Sequence, residues 1–177
     1  LWWLSLDSEL LFVGDAGNTE ASDASKRYGL ELSAYYWLND ALSLDAEASF
    51  THSRLDIDSS DDRIEGAVPV VASTGINWHI TQQWQSSVRV RHIGKRILSS
   101  DGDKRSEPLT VVNGLVSYQQ THWKVGLELL NIFDSTDHDI DYFYASRLAG
   151  EPAEGVEDNH FHPIEPRTMR LNFSLLF

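Results

Sequence analysis

Three histidines fall close together near the carboxy-terminal end: His138, then His160 and His162 as a His-x-His pair. The surrounding stretch, Phe133 to Pro166, carries Asp134, Asp137, Asp139, Asp141, Glu151, Glu154, Glu157, Asp158 and Glu165 against Arg147. Imidazoles two residues apart beside carboxylates can ligate a transition metal, because neutral imidazole and carboxylate supply the nitrogen and oxygen donors such ions take. A solvated acidic loop has the same composition, and that plainer reading is favoured. Such a loop could equally hold divalent cations that bridge lipopolysaccharide, or steer a cationic solute. The same loop contains Tyr142, Phe143 and Tyr144, with Arg147 just beyond. Rings and a guanidinium in this order are substrate-contact candidates, although packing of the loop on itself is the first use of such rings. No G-x-S-x-G, H-E-x-x-H or P-loop occurs, so no enzyme activity and no cofactor are expected.

Composition narrows the field. Acids outnumber bases 27 to 14, a net charge of −13. Phosphate backbones need a basic face, so nucleic acid is not an expected partner. The absence of cysteine removes disulfide scaffolds and thiolate metal sites. No apolar run of about 18 residues is present, so no transmembrane helix is expected. A transmembrane barrel stays open, because its strands need only about 9–11 residues and are polar at every second position. The chain starts at Leu1 rather than Met, which reads as a processed chain or a fragment.

The elements that would position the loop show period-2 alternation of apolar and polar residues eight times. The predicted strands are Trp2–Val13, Arg27–Leu38, Ala41–Arg54, Val68–Ile80, Trp84–Ile93, Leu109–Gln119, Trp123–Ile132 and Arg167–Phe177. In the first, Trp2, Leu4, Leu6, Leu10 and Phe12 should share one face, opposite Ser5, Asp7 and Glu9. Leu109–Gln119 is the least regular, because Val111 and Val112 are adjacent. Tight connections at Asn39–Asp40, Thr81–Gln83 and Gln120–His122 alternate with long polar ones. An all-β antiparallel meander with short turns at one end and long loops at the other is the outer-membrane barrel pattern. One hairpin recurs about every 40 residues, a propeller-like spacing, but a blade would fit four short strands where two long ones stand here.

The six tryptophans, Trp2, Trp3, Trp37, Trp78, Trp84 and Trp123, all fall at the short-turn end of the predicted strands. Tyr28, Phe12 and Phe133 fall at the other. Indole and phenol rings sit best at the headgroup boundary, so two aromatic belts around an aliphatic middle suggest a bilayer. The opposite face holds Asp7, Glu9, Glu31, Asp45, Glu47, Arg89, Arg91, Lys124, Glu128 and Arg170, which must then face a wet lumen. Glu128 and Arg170 should meet across adjacent strands. Met169, Leu171, Phe173, Leu175 and Phe177 of the last strand should face lipid.

Segment seven ends "LELLNIFD", which resembles the LNLFD signature in late strands of TonB-dependent receptors. "ELLFVGDAGNTE", "RYGLELSAYYWLNDALSLDAEASFTHSR" and "DIDYFYASRLAGEP…NHFHPIEPRTMRLNFSLLF" are similar to the barrel, last loop and closing strand of one subgroup. The likeness extends over essentially all 177 residues. It implies a gated importer in the outer membrane of a Gram-negative bacterium, with a barrel of 22 strands, an internal plug and a TonB box coupled to an inner-membrane energy complex. Scarce solutes such as iron chelates, haem, cobalamin or oligosaccharides would be the cargo. Outer-membrane lipid, lipopolysaccharide and the barrel assembly machinery would be partners, with Phe177 as the terminal aromatic assembly signal. Plug and TonB box have no counterpart in residues 1–177, so the expectation is the carboxy-terminal part of such a barrel. A small closed eight-stranded barrel with an adhesive or structural role is the alternative.

Overall fold

A computed structural model describes residues 1–13 and 17–176, without the side chain of Val13. Its twelve strands are β1 (Trp2–Leu6), β2 (Leu10–Val13), β3 (Asn18–Ala21), β4 (Ser25–Asn39), β5 (Leu42–Leu55), β6 (Val70–His79), β7 (Trp84–Ile93), β8 (Leu109–Gln119), β9 (Trp123–Leu130), β10 (His138–Ser146), β11 (Val156–Pro163) and β12 (Thr168–Leu175). Eight form one antiparallel sheet in the order β1-β4-β5-β6-β7-β8-β9-β12; β2-β3 and β10-β11 are separate two-stranded hairpins. The eight-strand meander is therefore present, with the β10–β11 hairpin inside a stretch that reads as a loop and the β2–β3 hairpin built from the end of the first predicted strand and the connection after it.

The first predicted strand is the one that divides. After Leu6 the sequence Asp7-Ser8-Glu9 interrupts the ladder, and Ser22 draws the chain aside. Its Oγ accepts from the Glu9 amide at 3.2 Å, and its own amide donates to the Glu9 carbonyl at 2.8 Å. β2 then turns back on β3, with Leu10 opposite Ala21.

Directly opposed residues in an antiparallel ladder share a face, so the registers carry each face across the whole sheet. One such rung reads Tyr36, Leu44, Ile76, Val88, Gly114, Leu129 and Met169. The adjacent rung on the other face reads Tyr35, Asp45, Gly75, Arg89 and Asn113. One face is thus apolar and the other polar across every strand from β4 to β12. Val111 and Val112 divide between them: Val111 opposes Arg91 on the polar face and Val112 opposes Val90 on the apolar one.

The apolar face is open to its surroundings. Leu171 is 73 % exposed, Met169 70 %, Tyr36 64 % and Leu32 55 %. Among the described residues the buried hydrophobic ones are Ile64, Ile97, Leu98 and Leu109. None of these comes from the middle of the sheet. A water-soluble domain of this length would bury most of its apolar side chains. Here the environment of the apolar face is hydrocarbon, and the ladder satisfies the backbone groups that lipid cannot.

β1 and β12 are the two ends of the sheet, and no ladder joins them among the described residues. These eight strands therefore form an open wall rather than the small closed barrel considered above. On the polar face Arg89 reaches Asp45 at 2.8 Å and Ser73 at 3.0 Å, passing over Gly75. A Cβ at Gly75 would lie 2.7 Å from the Arg89 Nη2. Arg170 meets Glu128 at 3.4 Å, as their opposition in the register requires.

Two tryptophan placements differ from expectation. Trp3 opposes Tyr28 and Trp2 opposes Gly29, so both lie towards the long-loop end of β4 rather than at its short-turn end. The reason is that β1 meets β4 at its first turns only, from Gly29 back to Ser25. Trp2, Leu4 and Leu6 share the face of Gly29, Arg27 and Ser25, so β1 turns its apolar residues to the polar side. Trp37 is at the short-turn end but opposes Ser43, and its ring meets Tyr35 edge-on at 4.3 Å on the polar face. Trp78, Trp84 and Trp123 do lie on the apolar face at the short-turn end. Rings of Trp84, Tyr118, Trp123 and Phe173 follow one another there at 4.8, 5.5 and 6.4 Å. Phe177 lies outside the described residues.

Candidate site at the barrel mouth

The long connections gather at one end of the sheet. Residues 56–69 and 94–108 are joined by backbone hydrogen bonds, including Gly66 to Ile97 at 2.8 Å and Arg63 to Ser100 at 2.9 Å. Ile64, Ile97 and Leu98 are buried between them. The β10–β11 hairpin leans on this pair. Arg96 Nη2 donates to the Asp139 carbonyl at 3.1 Å, and Lys104 Nζ lies 5.1 Å from the Phe143 ring. The β2–β3 hairpin closes the opposite side, where Phe12 meets Tyr142 at 5.4 Å.

Between these loops is a cavity of about 330 Å³, lined by Phe12, Arg27, Arg96, Tyr142, Phe143 and Tyr144 among others. Its size is at the lower end of small-molecule sites. Arg27 is held by Glu9, which also accepts from Ser25 Oγ at 2.6 Å. Burial raises the pKa of Glu9, but the hydrogen bonds from Arg27 and Ser25 and the guanidinium charge outweigh it, so the carboxyl stays below its ordinary value. Arg96 is half-buried, and its Nη2 donates to the Asp139 carbonyl. The lining also holds the carboxyl groups of Glu65 and Asp141, so rings, guanidinium groups and carboxylates all face the cavity, which suits a ligand that stacks and carries hydrogen-bonding groups of both kinds.

Of the four residues singled out as substrate contacts, Tyr142, Phe143 and Tyr144 line this cavity. Arg147 does not; its Nε donates to the Glu151 carbonyl at 3.3 Å at the far turn of the hairpin. Arg27 and Arg96 were not singled out from the sequence. Arg27 reads there as one polar position of an alternating strand, and Arg96 as one base in a polar loop.

The three histidines do not converge. His138 Nδ1 pairs with Asp141 at 2.8 Å and its ring stacks on Phe161 at 3.7 Å. His162 Nδ1 pairs with Asp139 at 2.8 Å, and His160 stacks on Tyr144 at 3.9 Å. Among the described residues no group of three or more His, Cys, Asp or Glu side chains could hold a metal ion. Each imidazole braces the hairpin instead.

The NIFD turn has a defined mechanical part. Asn131 is 3 % exposed and adopts a positive φ of 48°, a conformation asparagine tolerates better than most residues. Its Nδ2 donates to the Ser135 carbonyl at 2.9 Å and the Glu165 carbonyl at 3.0 Å. Its Oδ1 accepts from the Ser135 amide at 2.9 Å, and its own amide donates to Asn113 Oδ1 at 2.9 Å. Asp134, with φ of 56°, accepts from the Arg167 amide at 2.8 Å. One turn therefore fastens β8, the root of the last loop and the entry to β12.

An open antiparallel wall, apolar outside, ionic inside and carrying its loops at one rim, defines a sector of an outer-membrane β-barrel. Residues 1–132 match the family described as TonB dependent receptor-like, beta-barrel, and the chain belongs to that family. Its place is the outer membrane of a Gram-negative bacterium. No curated protein matches the chain. Solved structures with the same fold include the ferric-catecholate import receptor Fiu from E. coli K12, at TM-score 0.66 and 17 % identity over 97 % of this chain and 23 % of that one. The siderophore receptor PiuA from Acinetobacter baumannii gives TM-score 0.68 and 12 % identity, covering 97 % and 24 %. The copper transporter OprC gives 0.66 and 22 %, covering 96 % and 27 %. The chain thus spans about a quarter of the length of the receptors it matches, and these are transport proteins rather than enzymes.

Proposed function

We propose that residues 1–177 are the carboxy-terminal sector of an energy-coupled importer, and that the mouth cavity belongs to the surface that first captures the solute. The favoured cargo is an iron chelate with planar anionic groups, among the scarce solutes such receptors take. The cavity carries this reading: Tyr142, Phe143, Tyr144 and Arg96 all line it. The ferric-catecholate and siderophore receptors that share the fold are consistent with it. TonB would act through a plug contributed by other parts of the receptor.

The test is growth of a strain lacking the gene on limiting iron chelates, haem, cobalamin and oligosaccharides in turn. Loss on one iron chelate, restored by the wild-type gene and not by Arg96→Ala with Tyr144→Ala, is the expected result. Undiminished growth on every source would count against transport. Loss on a different source alone would move the cargo but not the class.

A further inference from the structure

The mouth cavity is small for a whole chelate. An apolar cavity of about 150 Å³ holds one benzene, so each non-hydrogen atom of a guest takes about 25 Å³. At that density a cavity of about 330 Å³ holds roughly 13 non-hydrogen atoms. A chelate that fills every coordination position of iron, with the carbons that carry and link its donor atoms, is larger. The cavity therefore has room for one part of such a cargo.

Two side chains of opposite charge stand in the lining without pairing to each other. Arg96 gives Nη2 to the Asp139 carbonyl at 3.1 Å, while its Nε and Nη1 donate to no described residue. Asp141 is 7 % exposed, and its Oδ1 is held by His138 Nδ1 at 2.8 Å. That leaves Oδ2 for a donor in the cavity, and a buried carboxylate is costly without partners. Asp141 follows Asp139 by two residues of β10, so at ~3.3 Å per residue it stands within about 7 Å of the carbonyl that holds Arg96.

The remaining charges set the kind of guest. Arg27 is already answered by Glu9, and Glu65 adds a second carboxylate to the lining. The Asp139 carboxylate is paired with His162, and Lys104 lies against the Phe143 ring outside the lining. One guanidinium is thus set against two carboxylates, and a purely anionic guest is attracted at Arg96 but repelled beside Asp141 and Glu65. Phe12 and Tyr142 meet at 5.4 Å, tilted by 48°, and Phe12 is 48 % exposed, so ring surface stays open for stacking.

We propose that the cavity seats one arm of the cargo, away from the iron, and that this arm carries an aromatic amino-acid group. Its carboxylate sits on Arg96, its ammonium on Asp141 Oδ2 and its ring against Phe12 and Tyr142. A carboxylate and an ammonium on one carbon, each hydrogen-bonded at about 2.9 Å, span the interval between the two side chains. The proposal rests on the reading of the mouth as the surface that captures the solute, and adds the chemistry of the captured arm.

The test uses the full receptor, purified from outer membranes in detergent, with tyrosine, tyramine and hydroxyphenylpropionate as probes. They share one ring and carry both charges, the positive one or the negative one. Saturation-transfer NMR titrations read their dissociation constants. Tyrosine should bind about tenfold more tightly than either single-charge probe, by one charge-assisted hydrogen bond. Asp141→Asn, which keeps an oxygen for His138, should weaken tyrosine and tyramine about tenfold without weakening hydroxyphenylpropionate. Arg96→Gln should weaken tyrosine and hydroxyphenylpropionate and spare tyramine, and Arg147→Gln, outside the cavity, should change none of the three. The comparison on the wild-type receptor needs no variant to assemble. Hydroxyphenylpropionate binding as tightly as tyrosine overturns the proposal, as does no saturable binding of tyrosine or equal losses of all three probes in each variant. Growth separates the two readings: a deletion strain that fails on one iron chelate, with a receptor that binds the three probes alike, keeps the importer and loses the amino-acid arm.

Discussion

Asn131 should be the costliest polar side chain to remove from the mouth. In Asn131→Ala three hydrogen bonds disappear: the two from Nδ2 and the one accepted by Oδ1. A net contribution of about 1 kcal/mol each gives ~3 kcal/mol. Leaving the half-buried Ser135 amide without its acceptor adds about 1 kcal/mol. Alanine at a φ of 48° costs another ~1 kcal/mol. The sum is about 5 kcal/mol. Asn131→Gly isolates the conformational part and should be milder by about 1 kcal/mol. Reversible urea unfolding of the assembled barrel in lipid vesicles measures both. Hydrogen exchange should show the loss centred on Ser135, Glu165 and the first residues of β12. A change below about 1 kcal/mol in Asn131→Ala would refute the reasoning, since a single ordinary hydrogen bond is worth that much. So would equal effects of alanine and glycine, for the backbone share of the argument.

Neighbouring residues of β12 test the assignment of faces. Leu171→Arg should cost about 2–4 kcal/mol in vesicles, and Asn172→Arg less than about 1 kcal/mol, because only the first places a charge in hydrocarbon. Similar losses at the two positions would sink the assignment. The Glu9 clasp gives a pH test. Its carboxyl is held below the ordinary value of 4.5, so it stabilises the β2–β3 hairpin above that pH, and the benefit fades as pH falls through the lower folded value. Amide protection in β2 and β3 should therefore drop on acidification below about pH 4.5 in wild type and not in Glu9→Gln. Identical profiles in the two proteins would remove Glu9 as the cause.

The sheet was legible because lipid on one side and water on the other impose alternation at every step of a strand. Trp84–Ile93 and Leu109–Gln119 match the observed β7 and β8 residue for residue. Alternation does not say where a ladder ends, however. Leu10 and Phe12 continue the rhythm of Trp2, Leu4 and Leu6, yet they belong to a hairpin that leaves the wall at Asp7. Nor does it tell the two faces apart in a short edge strand, which is why Trp2 and Leu4 were placed on the wrong side. The mouth was legible only in part. Tyr142, Phe143 and Tyr144 stand out as a run of rings, whereas Arg27 and Arg96 join them from elements 69 residues apart in the chain. No local pattern records that meeting.

The scarcity of interior packing bears on how such proteins diverge. A buried side chain must match the shape of its neighbours, but a side chain facing fluid hydrocarbon need only be apolar. Leu127, Leu129 and Val116 on the outer face can therefore exchange with other apolar residues without leaving a void. Shape constraints concentrate where there is an interior to fill, around Ile64, Ile97 and Leu98 at the mouth. A wall of this kind keeps its curvature while its sequence drifts, as TM-scores of 0.66 and 0.68 at 17 % and 12 % identity illustrate.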